Sequence, residues 1–66
     1  MKTYHVLVET AEDGWLAAQA REDESVHTQG RSLDEIARNI REVAELLHGD
    51  TEVQIELILP PTLRVA

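Results

Sequence analysis

Residues 32–49 read SLDEIARNIREVAELLHG, and their spacing decides the fold. Leu33, Ile36, Ala37, Ile40, Val43, Ala44 and Leu47 recur at intervals of three and four, the period of one face of an α-helix. Ser32 and Glu35 have the spacing of a capping box, in which the serine hydroxyl accepts the Glu35 amide and the Glu35 carboxylate returns to the Ser32 amide. Asp34 with Arg38, and Arg41 with Glu45, put opposite charges four residues apart on the exposed side. Gly49 is a helix stop, and His48 before it suits the negative end of the helix dipole. The pattern predicts one amphipathic helix that covers a face of a sheet.

Toward the N-terminus, residues 26–35 read VHTQGRSLDE. Gly30 is expected to make the turn into the helix, and residues 25–29 to form a third strand with Val26 and Thr28 on its packed face. His27 and Gln29 are left as polar groups without a structural task, and they read as a partner-facing edge rather than a catalytic pair. Residues 3–10, TYHVLVET, alternate as a first strand, with Tyr4, Val6 and Val8 on one face and Thr3, His5, Leu7 and Glu9 on the other. Asp13-Gly14 signals a tight hairpin of the primed type, and residues 15–20, WLAAQA, return as the second strand. Arg21, Glu22, Asp23 and Glu24 break the apolar pattern as a solvated loop.

After the helix, residues 52–59 alternate again. Val53, Ile55, Leu57 and Leu59 point inward, Glu52, Gln54 and Glu56 outward, and Ile58 leaves an apolar spot on the outer side. Pro60-Pro61 ends the strand, because proline donates nothing to a ladder; the tail TLRVA is expected to add a short extended segment. The order is β-β-β-α-β, an α+β fold with an antiparallel sheet and one helix on one face.

A single domain of 66 residues buries only roughly 60% of the surface its unfolded chain exposes. There is no cysteine, so the core rests on aliphatic residues, completed by self-association. Thirteen acids against six bases give a net charge of −7. That field repels phosphates, so direct nucleic-acid binding is not expected, and a basic protein partner is favoured. The chain opens on no long apolar run, and nothing approaches the ~20 apolar residues of a membrane span. A cytoplasmic, soluble protein with no membrane contact is expected.

Chemistry-bearing patterns are thin. His5, His27 and His48 lack a shared ligand spacing, so no metal site is expected. Neither Ser25 nor Ser32 lies in a nucleophile elbow, and the isolated Gly14, Gly30 and Gly49 make no phosphate loop. A metal-dependent nuclease needs several acids around paired cations; Glu9, Glu35 and Glu56 are the candidates for such a set, and each also reads as a solvated face residue. No catalytic residue and no cofactor is assigned, and the protein is expected not to be an enzyme.

The segments YHVLVETAEDGWLAAQA and HTQGRSLDEIARNIREVAELL, taken in order, resemble the HicB family of bacterial antitoxins. The likeness spans residues 3–48, and the last strand also fits. It implies a truncated RNase H-like fold. It also implies a protein that binds and masks a small basic ribonuclease toxin, HicA, and is itself dimeric or higher. Two departures stand out. Where many members carry a Pro-Gly-Cys-like segment, this chain has REDESVHTQG, so the toxin-facing loop differs. Only seven residues follow Leu59, so the DNA-binding domain usual in the family is not carried over. On this reading Glu22, Asp23, Glu24 and His27 are the expected toxin contacts. Ile55, Leu57 and Ile58 are the expected oligomer interface, the feature of an alternative self-associating module that needs no toxin.

Overall fold

The structure, a computed structural model, describes residues 2–61, and the extended segment expected for residues 62–66 lies outside them. The chain runs β1 (Lys2–Thr10), a tight turn at Glu12–Gly14, β2 (Leu16–Ala20), β3 (His27–Gly30), α1 (Leu33–His48) and β4 (Val53–Ile58). This is the expected order. The strands form one sheet in the order β3-β2-β1-β4, with α1 packed on one face.

The first hairpin follows from two residues. Asp13 and Gly14 both have positive φ, 59° and 78°, the pairing a primed two-residue turn demands. The Trp15 amide donates to the Glu12 carbonyl at 3.1 Å and closes it. β1 and β2 then pair antiparallel with Val8 opposite Ala18, and β2 pairs antiparallel with β3. The last strand departs from the expected antiparallel pattern, because β4 pairs parallel to β1, with Tyr4 opposite Ile55 and Val6 opposite Leu57. Two reversals leave β3 running the same way as β1. A helical crossover then returns the chain in the direction of the strand it left, so β4 arrives parallel. The sheet is therefore mixed.

The core is the layer between sheet and helix. Tyr4, Val6 and Val8 from β1, Leu16, Ala18 and Ala20 from β2, and Val26 bury against Ile36, Ile40 and Ala44. The helical period thus places the stripe correctly, except at its end. Leu47 is 52% exposed, and Leu46, which lies outside the stripe, is 84% exposed. Asn39 Nδ2 donates to the Gln29 carbonyl at 3.1 Å and ties the helix to β3.

Both helix ends are capped, each with a difference from expectation. Ser32 Oγ accepts the Glu35 amide at 3.1 Å. The Glu35 carboxylate does not return to Ser32; its Cγ and Oε1 lie where a Cβ on Gly30 would meet them, at 3.3 Å. Gly30 is therefore not a turn residue. It is the buried last residue of β3, opposite Leu16, and its missing side chain lets the start of α1 approach. At the other end Gly49 takes the left-handed conformation at φ 69° and donates to the Glu45 carbonyl at 2.8 Å. The expected pairs Asp34–Arg38 and Arg41–Glu45 are not among the ion pairs of the described residues. Solvated pairs at this spacing contribute only about 0.2–0.5 kcal/mol, too little to hold two long side chains together.

Candidate functional site

With α1 on one face, the other face of the sheet is uncovered, and register sets what it displays. Gln29, Ala17 and Glu9 form one row across the strands. His27, Gln19, Leu7 and Ile58 form the next. His5 sits beside Glu56, and Thr3 beside Gln54. No lysine or arginine occupies any of these positions. A shallow depression opens in this face between Leu7, Glu9, Ala17, Gln19, His27 and Gln29, and Leu7 is 43% exposed in it.

The acidic loop after β2 is not simply solvated. The main chain leaving β2 stays against β1, with the Arg21 amide donating to the His5 carbonyl at 2.7 Å. Glu22 accepts the His5 amide at 2.9 Å, and its other carboxylate oxygen meets His5 Nδ1. His5 Nε2 lies 2.9 Å from Glu56. The His5 ring, then its main-chain amide, hold the Glu22 carboxyl down to about 2.

The neighbouring Asp23 turns the other way. Its Oδ1 accepts Ser25 Oγ at 2.6 Å and the Ser25 amide at 3.0 Å, and its Oδ2 meets His48 Nε2 at 2.7 Å. These bonds, Ser25 first, lower the Asp23 pKa. Adjacent acids thus bind a histidine of the sheet and a histidine of the helix end, and the loop straps the two layers together. His48 is more than a dipole partner.

Of the expected toxin contacts, Glu22 and Asp23 are therefore turned onto the protein itself. Glu24 is exposed, and His27 stands on the uncovered face opposite Gln19. Ile55 and Leu57 lie on the helix side, half-buried against the core, whereas Ile58 is on the uncovered face beside Leu7. The carboxylates considered for a nuclease are split as well: Glu9 and Glu56 share the uncovered face, and Glu35 belongs to the helix layer. No group of three or more His, Cys, Asp or Glu among the described residues is placed to hold a metal ion. The His5–Glu22–Glu56 cluster escapes sequence reasoning because only the parallel β1–β4 register brings Glu56 beside His5.

The His5–Glu22 link makes stability depend on acid. Glu22 has a folded-state pKa below its ordinary 4.5, so its contribution is complete above about 4.5 and is lost as pH falls toward about 2. Urea unfolding at pH 5 and pH 3 should show a drop for the wild type that is smaller for Glu22→Gln. Equal drops would remove Glu22 from the acid limb. Asp23, lowered in the same sense, leaves a residual drop in the variant.

A two-layer β-β-β-α-β module with its polar chemistry on one open sheet face defines a small α+β protein. The chain belongs to the UPF0150 family. It is 35% identical over 51 residues to the UPF0150 protein ssr1258 of Synechocystis sp., a match spanning 77% of this chain and 74% of that protein. No family profile matches the chain, and no solved structure matches it. Among the described residues no helix is long and apolar enough to cross a membrane.

Proposed function

We propose that the chain is a HicB-like antitoxin, not an enzyme, that neutralises a small basic HicA-like ribonuclease toxin in the cytoplasm by direct protein contact. The observation that carries this reading is a sheet face whose strand positions display acids and no lysine or arginine, on a chain of net charge −7. Opposite charge speeds association and selects the partner. Membership of UPF0150 is compatible with it. The test is co-expression with the short basic protein encoded beside this chain. A complex that forms at low salt, weakens with added salt and suppresses the partner's RNA cleavage is expected. Lack of such a neighbour, or no complex at low salt, sinks the proposal.

A second reading, a self-associating module without a toxin, is favoured by a different observation. β4 is an edge strand whose Ile55 and Leu57 are only half-buried, and Leu46 and Leu47 are exposed at the helix end. Sedimentation of the isolated chain tests it: a monomer at micromolar concentration removes the second reading, whereas a dimer fits both.

A further inference from the structure

We infer that the partner docks on the uncovered sheet face, centred on Leu7 and Gln19, and not on the acidic loop after β2. This rests on the antitoxin reading and says where that reading acts. The loop is disqualified by its own bonds. Glu22 is engaged by the side chain and amide of His5, and Asp23 by Ser25 and His48. A partner that used those carboxylates would first have to break contacts that join the sheet to the helix.

The sheet face has the reverse character. Glu9 is exposed at its rim and makes no ion pair among the described residues, and His27, Gln19 and Gln29 present side chains with no internal hydrogen bond there. Leu7, with Ala17 beside its row, supplies an apolar centre in a shallow depression. Apolar centres ringed by polar groups are where interface energy concentrates.

Charge selects the occupant. Of the cations of the described chain, Lys2 pairs with Asp50, Arg31 stacks on the Trp15 ring at 4.4 Å, Arg38 and Arg41 are on the helix, and Arg21 follows β2 at the His5 end of the face, its amide on the His5 carbonyl. The helix exterior is thus of mixed sign, whereas the strand positions of the sheet face carry Glu9 and Glu56 and no lysine or arginine, on a chain of net charge −7. Its partner is a basic protein surface that sets an apolar side chain over Leu7 and places arginine or lysine near Glu9.

The experiment measures binding of the short basic protein encoded beside this chain to four purified proteins, each checked for folding by circular dichroism. They are the wild type, Leu7→Arg, Gln19→Arg and Glu24→Lys. A cation placed inside a basic interface repels the partner, so both face variants should weaken binding at least about tenfold. Glu24→Lys, exposed on the loop, should stay within about threefold of the wild type. Gln19 is exposed, so Gln19→Arg keeps the test open if Leu7→Arg misfolds. Wild-type binding with both folded face variants unimpaired, or with Glu24→Lys the most damaged, overturns the docking face alone. Wild type that does not bind overturns the antitoxin reading itself.

Discussion

Replacing Ile40 by alanine is expected to leave the domain largely unfolded near physiological temperature. Ile40 is fully buried at the middle of the helix stripe, in the layer shared with Tyr4, Val6 and Ile36. Removing three carbons from such a site costs about 2–5 kcal/mol, the transfer loss plus the cavity that remains. A chain of this length has roughly 3–10 kcal/mol in total, at about 0.05–0.15 kcal/mol per residue. The loss is therefore a large part of the whole, and each kcal/mol moves Tm by roughly 4–8 °C in a domain this small. The control is Leu46→Ala. Leu46 is as apolar and six residues along the same helix, but it is 84% exposed, so its loss should stay within about 0.5 kcal/mol. Urea unfolding followed by helical circular dichroism measures both. Equal shifts in the two variants would contradict the placement of the helix on the sheet.

That contrast shows where sequence patterns are informative. The period-three-and-four recurrence identifies Ile36, Ile40 and Ala44 as buried, because burial of a helix face is a local property of the repeat. It also includes Leu47, which is half exposed, because the repeat cannot say where the supporting sheet stops. The alternation in β1 and β4 assigns faces correctly at Tyr4, Val6, Ile55 and Leu57 for the same local reason. Strand direction is not local. The parallel β1–β4 pairing follows from the crossover, and with it come Glu56 beside His5 and Ile58 beside Leu7. Those neighbours make up much of the uncovered face, so the candidate site was legible only as separate polar residues such as His27 and Gln29. The partners of the loop acids are hidden from the sequence for a related reason. A run of charges reads as solvated unless two histidines distant in sequence, His5 and His48, are known to stand against it.

Gly30→Val is expected to destabilise the fold by about 1–3 kcal/mol, the range for overpacking a filled site. The direction is informative because β propensity alone predicts the opposite, since glycine is a poor strand residue and valine a good one. What reverses it is the approach of the helix. A Cβ at Gly30 would lie 3.3 Å from Glu35 Cγ, Glu35 Oε1 and Ile36 Cδ1, tighter than ordinary contact, and valine adds two further carbons. The two neighbours differ in how they can yield. Glu35 is partly exposed on a flexible stem and its carboxylate makes no bond back to Ser32. Ile36 is fully buried and can move only by disturbing the core. Glu35→Ala alone should therefore cost little, because the Ser32 cap uses the main-chain amide of residue 35 and survives. Combined with Gly30→Val it should restore part of the loss, leaving the share due to Ile36. Chemical unfolding of the single and double variants measures this coupling. Strict additivity, or a Gly30→Val variant more stable than the wild type, would mean that Gly30 serves the turn and not the contact between β3 and α1.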